Sequence, residues 1–268
     1  MASRQEDRKK RLKSVCQSLY NRTIKDTNYL ALHKSKLRSL IVNERYHFIY
    51  NMVYKVGSSN WSWMIVHDLE GYGDEAKVRL YAHEVLQRRI PIYDESQIKD
   101  FLKNYKIFIF VRNPLSRILS AYLDKFVRGR NEFYSNVAKN IIAKYRKGVN
   151  TNDVGIDVTF TEFINYLVDA EELYDGHWRP IYIENMPCEV SFDVIGKLED
   201  ANDDIPYTIK TIGLWNVTNY GKTPSGKAKA SELLQTYYSQ LPPKLLQQFY
   251  KVYEPDFHMF GYDMPLFI

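Results

Sequence analysis

Two apolar runs constrain this chain most, because each ends in a short break and is followed by a helical pattern. Tyr46 to Tyr54 (YHFIYNMVY) is aromatic and β-branched, the composition of a buried strand. It runs into Lys55-Val56-Gly57-Ser58-Ser59-Asn60, after which Trp61 to Leu69 carries apolar residues at helical spacing. Lys106 to Val111 (KIFIFV) is a continuous apolar run, as expected of a parallel strand covered on both faces. Arg112-Asn113-Pro114 breaks it, and Leu115 to Val127 follows as a helix, with Pro114 near the first turn, where a missing N–H costs little. Strand, loop and helix in repetition predict an α/β fold: a single domain with a mainly parallel central sheet flanked by helices.

The rest of the chain fits that frame. Arg8 to Leu19 can form a short helix, Thr159 to Leu167 a helix capped by Thr159 or Thr161, and Val190 to Lys197 a strand. Ser231 to Tyr253 is helical, restarted at Pro242-Pro243. We divide the sequence into a basic N-terminal segment, 1–40, and one folded domain, 41–268; with 45% hydrophobic residues the chain can bury one substantial core.

The segment Met1 to Lys13 is polar and basic, without the apolar core of a signal peptide, and no apolar run reaches the ~18 residues of a membrane span. The chain is therefore either cytosolic or the soluble part of an anchored protein. The two cysteines, Cys16 and Cys188, exclude a disulfide-rich scaffold and a multi-cysteine zinc site. A net charge of +5 favours anionic partners, whether nucleotides, polyanionic glycans or nucleic acid.

Lys55 to Trp61 has the make-up of an anion site. Gly57 lets backbone approach a ligand closely, Ser58 and Ser59 supply hydroxyls, and the N–H groups at a helix start carry part of a positive charge. Lys55 adds a full charge at the strand end. A Walker A loop is absent, so the phosphate ligand implied is not ATP. The bland reading is a Ser/Gly turn beside a solvated lysine. The second break offers Arg112, a planar fork of donors, with Ser120 two turns into the following helix. Two phosphate-reading loops at the ends of neighbouring parallel strands suit a nucleotide with phosphates at both ends.

Tyr54-Lys55-Val56-Gly57-Ser58-Ser59-Asn60-Trp61 resembles the 5′-phosphosulfate loop of Golgi carbohydrate sulfotransferases, usually Pro-Lys-Val-Ala-Cys-Thr-Asn-Trp. Phe110 to Tyr122 resembles their 3′-phosphate motif. Further matches are Asp124-Lys125-Phe126, His177-Trp178-Arg179-Pro180, Pro187-Cys188, Phe192 to Glu199, and Tyr250 to Phe257 with Phe260-Gly261-Tyr262. Departures are Tyr54 for the loop proline, Ser58 for the loop cysteine, and Asn51 and Asn185 at two further cysteine positions. Cys16 and Cys188 both match family cysteines, and the resemblance allows them to pair.

The resemblance implies a P-loop-like sulfotransferase fold and a carbohydrate O-sulfotransferase using 3′-phosphoadenylyl sulfate (PAPS) as donor, with adenosine 3′,5′-bisphosphate as product. Lys55 would neutralise charge on the leaving phosphate; Val56, Gly57, Ser58, Ser59, Asn60 and Trp61 would hold the 5′-phosphosulfate end. Arg112 and Ser120 would bind the 3′-phosphate, and Lys197 joins the donor set. The base is His83 or, alternatively, His177; no metal is called for. The acceptor would be an anionic glycan, a GalNAc 4-hydroxyl of chondroitin or dermatan or else a glucuronyl 3-hydroxyl, with Lys144, Arg146 and Lys147 among the basic candidates that could face it. Nucleic acid is not an expected partner, although a non-catalytic heparin- or nucleic-acid-binding module is the rival class. The family resemblance places the chain in the Golgi lumen, held by an anchor outside this sequence.

Overall fold

The computed structural model describes residues 1–20, 37–73, 82–86, 93–128, 131–148, 157–170, 173, 175–221 and 230–264. In chain order the main elements are helix α1 (Ala2–Tyr20), strands β1 (Leu40–Asn43) and β2 (Phe48–Asn51), helices α2 (Ser58–Met64) and α3 (Glu95–Asn104), and strand β3 (Lys106–Val111). Helices α4 (Pro114–Tyr122), α5 (Glu132–Tyr145) and α6 (Phe160–Asp169) follow, then strand β4 (Val194–Lys197) and helices α7 (Ala201–Thr211), α8 (Ala230–Tyr238) and α9 (Pro243–Phe260).

The chain forms two compact units, interleaved in sequence. One is made from Met1–Arg112, Ile181–Lys227 and His258–Gly261; the other from Asn113–Pro180, Ala228–Phe257 and Tyr262–Ile268. The first holds the sheet, in the order β1-β2-β3-β4. β2 pairs with β3 and β3 with β4 in parallel, whereas β1 runs antiparallel to β2. The mainly parallel sheet expected from the sequence is thus present, with β1 as an added antiparallel edge.

The parallel strands are buried on both faces, and their aromatic side chains carry the core of this unit. Tyr50 stacks on Phe108 with ring centroids 4.9 Å apart, and Trp61 from α2 packs on Phe108 and Phe110 at 4.8 and 5.1 Å. Gly196 in β4 is required by this packing: a Cβ there would meet the Phe110 ring at 2.5 Å.

The outer edge of β4 is covered by α1. Gln5 accepts from the Ile195 N–H (2.9 Å), and Arg8 donates to the Ile195 carbonyl (2.7 Å), so two side chains take up groups that an edge strand leaves open. Arg8 also pairs with Asp200 and the fully buried Asp204, both at 2.6 Å. A Cys16–Cys188 disulfide fixes the far end of the helix.

The second unit is helical around Phe163, Trp178, Phe249, Tyr253 and Phe257. Two buried side chains there donate to carbonyls: Arg117 to those of Gly176 and Arg179, and Tyr253 to that of Trp178. Thr159 and Glu162 form a capping box at the start of α6, and Arg146 donates to Glu162 and Asp157. Arg146, a sequence candidate for the acceptor surface, is therefore engaged in anchoring α6.

Candidate active site

β2 ends at Asn51, and the chain turns through Tyr54 to Gly57 before α2 begins. Two residues of this turn have left-handed backbone: Lys55 at φ 69° and Gly57 at φ 85°. The conformation is natural for glycine, whereas for lysine it stores about 1 kcal/mol, a kind of strain that gathers at ligand clamps. Arg112, just past β3, donates to the Lys55 carbonyl at 3.3 Å and ties the ends of two adjacent parallel strands together. Gly57 is the N-cap residue of α2, and its carbonyl takes the N–H groups of Asn60 and Trp61. Helix geometry leaves the N–H groups of Ser58 and Ser59, ahead of these, without acceptors inside the helix. The helical path continues from α2 through a π-helical turn, Ile65–Leu69, so the backbone dipoles of both segments add at this end.

His83 lies on a helical stretch, 82–86, anchored by the buried Ala82 and Leu86. Its imidazole meets the loop directly: Nε2 is 3.2 Å from the Ser59 hydroxyl and Nδ1 is 2.8 Å from that of Ser62. Tyr54 stands edge-on to the ring, at 6.0 Å between centroids. Ser62 is fully buried, and its hydroxyl donates in turn to the Met52 sulfur at 3.8 Å.

Beside the loop is a cavity of about 270 Å³. Val56, Gly57, Asn60 and Trp61 form one wall and Phe110 another; Leu198, Ala201, Asn202 and Ile205, with Asn219, Tyr220 and Gly221, complete it. Aromatic faces with a few amide groups make a surface suited to a flat heteroaromatic ring.

Lys55, Val56, Gly57, Ser58, Ser59, Asn60, Trp61, His83, Arg112 and Lys197 all belong to the sheet-containing unit. Lys197, at the end of β4, is half-buried and donates from Nζ to the Gly261 carbonyl at 3.0 Å. Burial first, and the positive charge of Arg8 second, lower its pKa. Ser120 and His177 belong to the helical unit. Ser120 is half-exposed on α4. His177 shares a cluster with Asp175 and Tyr134: its Nδ1 is 2.7 Å from Asp175 Oδ1, and the Tyr134 hydroxyl donates to Asp175 Oδ2 at 3.0 Å. Burial opposes ionisation of Asp175, but the hydrogen bonds and charge of His177 outweigh it and hold the carboxyl below its usual range.

The sequence reading missed Met52 and Ser62 behind His83, and Asn202, Asn219 and Tyr220 in the cavity wall. Of these only Ser62 carried a signal, falling one turn after Ser59 and hence on the same side of the helix.

The sequence profile of the sulfotransferase family matches residues 38–263. A carbohydrate sulfotransferase 14 from Danio rerio is 34% identical over 271 residues, covering 97% of this chain and 72% of the relative. A carbohydrate sulfotransferase 11 from Rattus norvegicus is 29% identical over 88% of this chain and 70% of its own length. A carbohydrate sulfotransferase 10 from Xenopus laevis is 28% identical over 98% and 77% respectively. No solved structure matches the chain significantly. With a profile match spanning most of the sequence and a relative 34% identical over nearly all of it, the chain belongs to the sulfotransferase family.

Proposed function

We propose that this chain transfers a sulfuryl group from PAPS to a hydroxyl of a glycan, with His83 as general base. The observation that carries the reading is the contact between His83 Nε2 and Ser59, which joins a titratable imidazole to the loop read as the donor-binding turn. Imidazole is the side-chain type suited to taking and releasing a proton at neutral pH.

The residues present fit such a donor. The left-handed turn at Lys55 and Gly57, the leading N–H groups of α2 and the hydroxyls of Ser58 and Ser59 suit the 5′-phosphosulfate, and the aromatic cavity next to them suits the purine. When bound, PAPS supplies the sulfuryl group and leaves as adenosine 3′,5′-bisphosphate. Lys55 stabilises the negative charge gathering on the leaving phosphate. Arg112 binds the 3′-phosphate, the group that separates this donor from ordinary adenine nucleotides. His83 takes the proton of the acceptor hydroxyl at Nε2 and becomes an imidazolium. Ser120, Lys197 and His177 keep the roles that the resemblance gives them, as 3′-phosphate ligand, donor ligand and second candidate base.

For the acceptor, the family resemblance favours a GalNAc 4-hydroxyl in chondroitin- or dermatan-type chains, with a glucuronyl 3-hydroxyl as the alternative. The same resemblance supports action in the Golgi lumen, with membrane attachment through a segment outside this sequence. Among the described residues no helix is long and apolar enough to cross a membrane.

Calorimetric titration with adenosine 3′,5′-bisphosphate, AMP and ATP tests the donor assignment. The bisphosphate should bind at least tenfold more tightly than either, and Arg112→Ala should erase most of that difference. Salt-sensitive heparin binding with no nucleotide preference would contradict the proposal and favour a polyanion-binding module.

A further inference from the structure

We propose that Ser62, backed by Met52, is a positioning residue that holds His83 in the tautomer with the proton on Nδ1. This rests on the reading of His83 as the base. A histidine works as a base only at the ring nitrogen that carries no proton, and which nitrogen that is depends on the partner of the other. Here both ring nitrogens have hydroxyl partners, and a hydroxyl can either donate or accept.

The ambiguity is broken one step behind the ring. Ser62 Oγ lies 3.8 Å from the Met52 sulfur, and a thioether has no proton to give. The contact is a hydrogen bond only if Ser62 donates its single hydrogen there. Its oxygen then faces His83 as an acceptor and takes the Nδ1–H at 2.8 Å. Nε2 is left with its lone pair directed at Ser59, on the donor loop, where the Ser59 hydroxyl donates to it at 3.2 Å.

The line Ser59–His83–Ser62–Met52 thus has one self-consistent direction, with every hydrogen pointing from the loop towards Met52. Burial keeps it so: Ser62 is 0% and Met52 1% exposed, so water does not compete for the Ser62 hydroxyl. The arrangement also favours the charged product of proton transfer, because an imidazolium keeps its Nδ1–H bond to Ser62 and needs no reorganisation on that side.

The test combines a spectroscopic and a kinetic reading on the full chain. Nitrogen-15 NMR of labelled histidine reports which ring nitrogen carries hydrogen, with His83→Gln assigning the signal. The wild type should show His83 protonated at Nδ1 and bare at Nε2. Ser62→Ala should give a mixture of tautomers and a kcat lower on the order of tenfold, while affinity for adenosine 3′,5′-bisphosphate stays within about twofold. Ser62→Thr, which keeps the hydroxyl, should restore both readings. Met52→Leu, close in volume but without an acceptor, should give a partial mixture. A wild-type ring protonated at Nε2, or a Ser62→Ala ring and kcat unchanged while His83→Gln is inactive, would overturn the proposal. Full activity of His83→Gln would instead defeat the base assignment, and with it any catalytic role for Ser62, whatever the tautomer shows.

Discussion

Lys55 combines a positive charge with left-handed backbone, and its carbonyl is held by Arg112. Removing the charge while leaving the turn intact separates its chemical role from its structural one. Lys55→Ala should lower kcat by roughly a hundredfold to a thousandfold, with thermal unfolding within a degree or two of the wild type. Asn51 and Asn185 illustrate a different use of single residues. Both are fully buried; Asn185 Nδ2 donates to Asn51 Oδ1 at 2.7 Å, and Asn51 Nδ2 to the Asn185 carbonyl at 2.9 Å. They occupy positions where the resembling family has cysteines, and a pair of amide hydrogen bonds joins the same two points of the chain. Asn185→Ala keeps the backbone carbonyl but removes the amide that donates to Asn51 Oδ1 and to the Met52 carbonyl, and should cost about 2 kcal/mol in urea unfolding. The two departures were visible in the sequence; that the residues touch was not, because nothing local relates positions 51 and 185.

At the scale of elements, strand-to-helix turns were the most legible part of the chain. The run Lys106 to Val111 is β3 residue for residue, and the break after Tyr54 is the loop that starts α2. Thr159 caps α6 as one of the two candidates named for it, with Glu162 completing the box. β1 was missed because Leu40 to Asn43 is only one short apolar run, and its antiparallel pairing depends on the turn that follows it. α3 was missed despite its Asp94–Gln97 capping box, a signal present in the sequence. The cavity wall was illegible as a whole for a simple reason: its residues come from four separate parts of the chain.

Gly57 owes its place to its φ of 85° and not to crowding, since a Cβ there would sit at an ordinary 3.5 Å from Leu198. Gly57→Ala should therefore destabilise by only about 1 kcal/mol, yet weaken binding of adenosine 3′,5′-bisphosphate severalfold by disturbing the turn. Glu162 sets a pH dependence. Burial raises its pKa, but bonds from Arg146 and Thr159 outweigh this and leave it lowered. A carboxyl lowered in the folded state stabilises fully above its unfolded pKa, near 4.5, and that stabilisation is lost as pH falls through the lower folded value. Glu162→Gln should cost roughly 2 kcal/mol at pH 7, and the gap to the wild type should narrow towards pH 3.

Over the whole molecule, interleaved segments explain why the sequence suggested one catalytic domain: neither unit is a continuous stretch of chain. The N-terminal helix contributes to the first unit through the edge of β4, the Arg8–Asp204 pair and the disulfide. Because Cys16 and Cys188 are 172 positions apart, the bond closes a very long loop in the unfolded chain. Cys188→Ser should lower stability by about 5 kcal/mol on the chain-entropy account, and a reducing agent should shift the wild type's unfolding midpoint towards that of the variant.

Sulfuryl transfer itself can be followed with radiolabelled PAPS. Wild type, Lys55→Ala and His83→Gln would each be incubated with desulfated chondroitin, dermatan, heparosan and a glucuronyl-lactosamine glycan. Label should appear on chondroitin or dermatan with the wild type, and fall by at least a hundredfold with either substitution. Absence of transfer to every acceptor by a folded wild-type protein that also fails to bind adenosine 3′,5′-bisphosphate would contradict the proposed function.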